Sequence, residues 1–508
     1  MKITFVSIGV ESHAIEILSS FIKSKGHKTR LVFDPSLFAT EAIVNNKIAK
    51  IFDTRQLIAK QVVDSNPDII GFSVFTINYQ RALSIARLIK KLNPNISIVF
   101  GGIHPTSVPQ VVIKEKVVDI VCVGEGEYAL VELLESLKKG KINTNIKNLW
   151  FKTNKTIIRN PLRPLITDLD SLPFPDKDLF YKIYPGFLKD YYTASSRGCP
   201  FGCTFCANNV LNKVQKGLGP ILRRRSPKNL VDELIWAKKR YRPKKITFVD
   251  DIFTQDVNWL KKFAKLYKKH VNLPYVVLTH PKFVTSKIAS LLKKSGCYFL
   301  LFGIQSPSQK IRSKILKRYE TNQEIRDAAN NCHRAKLPFS VDHIFNIPTE
   351  TINEYIEGIK FYSSLKPTII NAFWLQYFPG TEIIDTAIKY KYLPPKIKQK
   401  INQGKTSTSV VIGIGGKNSS DPNLLYSNFQ FIYLILPILP EWAINYIIKH
   451  KLYQKKFHPP IFLNSLIKLI ISIRVKRAAV YLDILKQTTY FCFLAISKKY
   501  FSKKNDKS

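Results

Sequence analysis

The chain has 508 residues, 45% hydrophobic and 23% charged, which excludes a disordered polymer and asks for more than one core. The formal net charge of +43 raises the question of a nucleic-acid or anionic-membrane partner. Lys, Ile and Asn are abundant from end to end and Met occurs once, so the charge reads as a bias of the whole chain and no nucleic-acid partner is expected.

Met1–Val10 is a short alternating run that Glu11 ends at once, too short for a secretory leader, and reads as the first β-strand of a cytoplasmic protein. Ala14, Ile15, Leu18, Phe21 and Ile22 have the spacing of a helix buried on one face. Thr29–Phe33, Ile69–Val74, Ile96–Phe100 and Ile120–Val123 are short apolar strands, with helical patterns at Tyr79–Leu92 and Tyr128–Lys138. Alternation of strand and helix predicts a doubly wound parallel sheet over residues 1–144, with ligands bound beyond the carboxyl ends of its strands. Two of those ends stand out: Ser73-Val74-Phe75-Thr76, and Gly101-Gly102-Ile103-His104. Paired glycines let a large ligand lie against the backbone, while hydroxyls bind its polar groups.

Here the chain resembles the cobalamin-binding domain family, whose flavodoxin-like sheet carries a Ser-x-Leu-like tripeptide followed further on by Gly-Gly. Residues 76–100 separate Phe75 from Gly101, in agreement with that pattern. The turn Gly124-Glu125-Gly126-Glu127 is similar to the one that closes the domain in that family. The resemblance implies that Ser73, Thr76, Gly101, Gly102, His104, Gly124 and Glu125 contact cobalamin. Other members carry Asp-x-His-x-x-Gly after the first strand, with the His on cobalt. This chain reads Gly9-Val10-Glu11-Ser12-His13-Ala14, so His13 is expected at a helix start and not on cobalt. The alternative is a Rossmann-like domain for a nucleotide, although no Gly-x-Gly-x-x-Gly follows the first strand.

Residues 145–190 read as a linker. Leu149–Lys152 and Thr156–Arg159 are strand-like, and Pro173 and Pro175 force an extended path.

From 191 to 400, strands at Tyr191–Ser195, Lys245–Val249, Pro274–Leu278, Tyr298–Phe302, Phe339–Ile344 and Ile369–Gln376 alternate with helices at Leu230–Tyr241, Asn258–Lys269, Thr285–Lys294, Asn322–Ala335 and Ile352–Leu365. Six such units predict a partial (βα)6 barrel with its site at the carboxyl ends of the strands. Polar residues gather at those ends: Asp250-Asp251, Thr279-His280, Gln305-Ser306, Asp342-His343 and Thr381. After the first strand come Cys199, Cys203 and Cys206 at C-x3-C-x2-C spacing. Of the seven cysteines only these are clustered, so a disulfide framework is not expected. Three thiolates so close together can hold one face of an iron–sulfur cluster and leave one iron free for a chelating small molecule. Structural zinc takes four ligands, commonly in C-x2-C pairs, and no second pair follows.

This region is similar to the radical S-adenosylmethionine (SAM) superfamily, and the domain order looks like its cobalamin-binding class, over residues 1 to about 390. The resemblance implies that Cys199, Cys203 and Cys206 ligate a [4Fe–4S] cluster whose fourth iron is chelated by SAM. It places Phe205 near the adenine, Asp250 and Asp251 at the methionyl ammonium, and Gln305 and Ser306 at the ribose or methionyl group. Gln305 stands where the family often has Glu. Ile347-Pro348-Thr349-Glu350-Thr351 looks like a family turn with both glycines replaced.

Residues 401–508 read as a helical cap over the barrel mouth with a basic tail. Gly404–Asn418 is a loop, apolar helices are expected at Phe429–Leu439, Trp442–Ile448, Ile461–Ile473 and Ala478–Leu485, and Ser497–Ser508 is polar. Pro437 and Pro440 break the longest run, so no clean membrane span is expected. Peripheral contact of 429–485 with the inner membrane face is the second reading.

The resemblance implies an enzyme. It cleaves SAM reductively to a 5′-deoxyadenosyl radical, with electrons from a flavodoxin- or ferredoxin-type donor, and modifies an unactivated carbon of a small molecule, which the apolar composition of the C-terminal cap suggests is hydrophobic. Methyl transfer from cobalamin is the first expectation and ring formation or rearrangement the alternative. A binding protein with an inert barrel is the reading from another class.

Overall fold

The structure, a computed structural model, describes residues 1–37, 46–154, 156–405, 424–454 and 486–495. In the first sheet β1 (Lys2–Ile8), β2 (Lys28–Asp34), β3 (Ile69–Ser73), β4 (Ile98–Gly101) and β5 (Ile120–Cys122) run parallel in the order β2-β1-β3-β4-β5. This is the flavodoxin-like order, with its switch point between β1 and β3. β1 is buried almost throughout because it is covered on both faces. Helices His13–Ser24 and Glu127–Lys138 pack in the core on one side, and Arg55–Asp64 and Tyr79–Leu92 in the core on the other.

The sheet runs past residue 144. β6 (Leu149–Lys152) and β7 (Ile157–Arg159) extend it antiparallel from β5 to a seventh strand. The start of the expected linker is therefore sheet, and it covers the hydrogen-bonding edge that β5 would otherwise leave open.

The second sheet contains β8 (Asp190–Thr193). A short antiparallel ribbon, β9 (Ser196–Arg197) with β10 (Arg223–Arg224), stands apart from it. β11 (Lys245–Phe248), β12 (Tyr275–Thr279), β13 (Cys297–Gln305), β14 (Phe339–Phe345) and β15 (Ile369–Trp374) then follow β8 in sequential order, all parallel. Sequential parallel strands with intervening helices are the plan of a (βα) barrel left open. Several polar residues beyond the strand ends are helix caps. Asp256 accepts from the amides of Asn258 and Trp259, and Thr321 and Thr351 form capping boxes with Glu324 and Glu354.

The open edge at β15 is covered. Helix Leu424–Ile435 packs against β15 and helix Ile352–Leu365, with the Tyr433 hydroxyl donating to the Tyr355 carbonyl at 2.9 Å. In its described part, the expected cap is a wall along this edge strand. Residues 486–495 are helical and return to the first sheet, where Phe491 meets Phe33 at 5.4 Å between ring centres. The helices expected at Ile461–Ile473 and Ala478–Leu485, most of the loop after Gly404, and the tail lie outside the described residues. Among the described residues, no helix is long and apolar enough to cross a membrane.

Candidate active site

The cysteine loop is pinned at each step. Where it leaves β8, the Ser195 amide and hydroxyl and the Ser196 hydroxyl all donate to the Asp250 carboxylate. Gly198 has φ +91°, and a Cβ there would lie 2.0 Å from the Ile221 carbonyl oxygen, so only glycine fits. Further on, the Thr204 amide donates to the Leu316 carbonyl (3.1 Å) and its hydroxyl to the Ile315 carbonyl (2.7 Å). The Cys206 amide donates to the Cys203 carbonyl at 3.1 Å, and Asn212 holds the Cys199 carbonyl at 2.8 Å.

Burial pushes the Cys199 thiol up to about 12 and the Cys206 thiol up to about 11, and the neighbouring cysteines and Asp251 add to both shifts. Both remain protonated thiols unless a metal centre takes the place of the proton. Among the described residues, no three His, Cys, Asp or Glu side chains converge on a single-ion site. A cubane cluster does not need such convergence, because each thiolate takes its own iron. The donor set fits a cluster held by three cysteines.

One side of the loop faces a charged chain with no counterpart in the sequence motif. Arg318 Nη1 lies 3.8 Å from Cys203 Sγ, and its Nη2 donates to the Gly303 carbonyl at 2.7 Å. Its Nε donates to Glu320 at 2.8 Å. The other Glu320 oxygen is 3.4 Å from His280 Nε2, and Phe201 of the loop stacks on His280 at 4.4 Å. Burial opposes the Glu320 charge, but His280 and Arg318 overcome it and hold the carboxyl down to about 2.

The expected SAM residues divide. Asp251 is exposed at the rim and accepts from Asn208 at 2.7 Å; burial of its surroundings and the Asp250 charge raise its carboxyl. Asp250, expected at the methionyl ammonium, is 1% exposed and occupied by Ser195 and Ser196. The cause is the period-two alternation that puts Asp250 with Ile246 and Phe248, and Asp251 with Val249, which is exposed. Ser306 is also turned inward, donating to Glu350 at 2.8 Å. Gln305 ends β13 at φ +71°, beside a register shift against β14. Phe205 packs half-buried on the cluster of Ile311, Ile315, Leu316 and Ile344. His343 points away, into an aromatic cage with Tyr362 and Tyr433.

At the first sheet, Gly102 has φ +100°, and a Cβ there would stand 2.8 Å from the Val74 amide nitrogen. The turns after β3 and β4 are thereby zipped: Val74 donates to the Gly101 carbonyl at 2.8 Å and His104 to the Val74 carbonyl at 3.2 Å. Thr76 and His104, expected to contact cobalamin, are buried side by side at 3.1 Å, with the His104 ring tilted against Tyr79 at 4.1 Å between ring centres and its Nε2 unpartnered. They brace the turn from behind. Val10 and Phe75, beyond the carboxyl ends of β1 and β3, are exposed apolar side chains at the switch point. Glycine backbone with exposed apolar side chains at that crevice fits a flat corrinoid. His13 opens its helix and faces Glu16 at 3.4 Å.

The two sites adjoin. Helix Ile103–Ser107, after Gly102, packs on helix Ala207–Val214, after Cys206. Glu125 does not face the crevice. It accepts from Arg197 at 3.0 Å, from Arg223 at 2.6 Å and from the Ile166 amide at 2.8 Å.

Family models match twice: the B12 binding domain over residues 10–134, and the Radical SAM superfamily over residues 193–362. The chain is 30% identical over 362 residues to an uncharacterized methyltransferase of Pyrococcus horikoshii, covering 68% of this chain and 76% of that protein. It is 23% identical over 402 residues to an anaerobic magnesium-protoporphyrin IX monomethyl ester cyclase of Rubrivivax gelatinosus, covering 75% of this chain and 68% of that protein. The fold is similar to that of the cobalamin-dependent SAM radical enzyme OxsB with aqua-cobalamin and SAM bound, with TM-score 0.64 and 15% identity over 99% of this chain and 80% of that one. The cofactors of such a protein are a [4Fe–4S] cluster, SAM and cobalamin, and the chain belongs to the radical SAM superfamily, in its class with an N-terminal B12-binding domain.

Proposed function

We propose that this radical SAM enzyme transfers a methyl group to an unactivated carbon of a small hydrophobic molecule. The observation that carries the reading is the packing of helix Ile103–Ser107 on helix Ala207–Val214, which makes the corrinoid turn and the cysteine loop neighbours. The methyltransferase relative from Pyrococcus horikoshii supports it.

Cys199, Cys203 and Cys206 hold the cluster in this reading, with Arg318 beside Cys203. Asp251, exposed at the rim, meets the methionyl ammonium; Asp250 holds the strand-to-loop junction that aims the cysteines. Phe205 and Gln305 border the SAM site. Ser73, Gly101, Gly102 and Gly124 offer backbone and small side chains to cobalamin, with Val10 and Phe75 against the ring. When bound, the cluster supplies one electron, SAM the radical and cobalamin the methyl group. The protein positions these pieces and keeps water from them. The electron comes from an external flavodoxin- or ferredoxin-type donor.

After anaerobic reconstitution, the protein with SAM and a reductant is expected to release 5′-deoxyadenosine, slowly even without substrate. Cys203→Ala is expected to lose the cluster's visible absorbance and its iron. An unchanged spectrum and iron content in that variant defeats the cluster assignment. Comparing metabolites of cells with and without the protein then tests the chemistry: a product heavier by one methyl supports transfer. The similarity to the ring-forming cyclase of Rubrivivax gelatinosus favours one second reading, ring closure, for which the product loses hydrogens and gains no methyl.

A further inference from the structure

We propose that Glu125, with Arg197 and Arg223, is a clasp that sets the separation between the cobalamin seat and the cluster, so that these are positioning residues for methyl transfer. Three segments meet at one carboxylate. Glu125 comes from the turn that follows β5 of the first sheet, Ile166 from the connector, and Arg197 and Arg223 from the β9–β10 ribbon. The two arginines are register partners across that ribbon, which is why both reach the same oxygen. Arg223 also donates to the Ile166 carbonyl at 2.9 Å, and Arg197 reaches Glu127 at 2.6 Å. Glu125 and Arg223 are 10% and 4% exposed, so water competes little for their bond, while Arg197 is 27% exposed against a Glu127 that is 5% exposed.

Both ends of the clasp lead directly into the cofactor loops. On the first-sheet side, the Gly124 amide donates to Thr106 at 3.0 Å, in the segment that begins at Gly101-Gly102. Asn148 holds the same turn through the Val123 and Glu125 carbonyls. On the barrel side, Arg197 is followed by Gly198 and Cys199, and Gly198 is pressed against Ile221 of the strand partner's approach. A shift of the first sheet against the barrel therefore has to break the charged bonds first. Methyl transfer needs both cofactors at one substrate carbon, and misplacement by an ångström can cost on the order of 10²-fold in rate. Cleavage of SAM needs only the cluster loop.

The inference rests on the methyl-transfer reading, but its test does not. Cob(II)alamin and the reduced cluster are both paramagnetic, so their spin–spin interaction reports the distance between them in the loaded protein, whether or not a substrate is known. Glu125→Gln and Arg223→Gln are expected to retain wild-type cobalt and iron content while the spin–spin interaction weakens and broadens. Arg223→Lys, which keeps a charge, is expected to recover part of it. With a substrate in hand, product is expected to fall on the order of 10²-fold while 5′-deoxyadenosine persists. An unchanged spin–spin interaction in both glutamine variants overturns the clasp. Loss of cobalt from both also overturns it, because the residues would then be holding the cofactor itself. A wild type that shows the interaction but never yields a methylated product leaves the clasp standing and defeats the methyl-transfer reading.

Discussion

Arg318 is the residue whose charge would bear most directly on a cluster held by the three cysteines, because its guanidinium reaches the Cys203 sulfur. Its guanidinium is buried, tied to Glu320 and the Gly303 carbonyl, and its remaining contact is the Cys203 sulfur. Cluster potentials depend on net charge and on hydrogen bonds to sulfur. Removing a positive donor favours the oxidised cluster, so Arg318→Met is expected to lower the reduction potential by some tens of millivolts, read by spectroelectrochemistry. An unchanged potential shows that the contact does not persist in the loaded protein. Glu350 supports a second residue-level test. Burial raises its carboxyl to about 8, against the opposing bonds from Ser306, the Ile347 amide and Tyr355. The folded state then keeps a proton that the unfolded chain has lost. Its contribution is full below the unfolded carboxyl value and is lost as pH rises from there through about 8. Stability falls across that window with a slope of at most about 1.4 kcal/mol per pH unit. Thermal unfolding of Glu350→Gln is expected to lack this component of the slope, and a slope equal to wild type rules it out.

At the scale of elements, the two glycines after β4 make different demands. A Cβ on Gly102 collides with the Val74 backbone at a positive φ, whereas one on Gly101 meets the Cys122 Cβ at 3.4 Å and its carbonyl oxygen at 3.8 Å, both ordinary contacts. Gly102→Ala is therefore expected to cost about 1–3 kcal/mol of stability and Gly101→Ala much less, while both weaken cobalamin binding. Unchanged cobalamin titrations in both variants would remove the turn from the proposed seat. The elements themselves were legible because apolar strands and capped helices are local signals. Helices Tyr79–Leu92 and Ile352–Leu365 lie where periodicity puts them. Pairing partners were not legible: nothing local in Leu149–Lys152 says that it joins β5 instead of crossing to the next domain. The same limit holds for side chains. Cys199, Cys203 and Cys206 announce themselves by spacing, but the inward turns of Asp250 and Ser306 depend on partners 55 and 44 residues away. Arg318 is 115 residues from Cys203 and carries no spacing signal.

The whole molecule depends on charges buried where its parts join. Lys177 of the connector lies between Glu11 (2.9 Å) and Glu16 (2.7 Å) of the first domain, and its ammonium stands over the Tyr191 ring of β8 at 5.1 Å. Burial works against the Lys177 charge, but the two carboxylates outweigh it and hold its pKa above the usual lysine range. Burial raises Glu11 to about 8 and raises Glu16 as well, and the two side chains are hydrogen-bonded to each other, so the pair shares a proton beside Lys177. Two acids on one base in a dry site are a costly way to join two domains, and their contribution depends on all three being present. Lys177→Met leaves the buried, proton-sharing glutamate pair without its cation and is expected to destabilise the fold by roughly 3–5 kcal/mol. Replacing the whole set by Glu11→Gln, Glu16→Gln and Lys177→Met removes the desolvation cost along with the attraction, and is expected to recover most of that loss. Urea unfolding of the single and triple variants separates the two effects. A triple variant as unstable as Lys177→Met alone would mean that the site stabilises through its shape, and that the charges are not what joins the connector to the first domain.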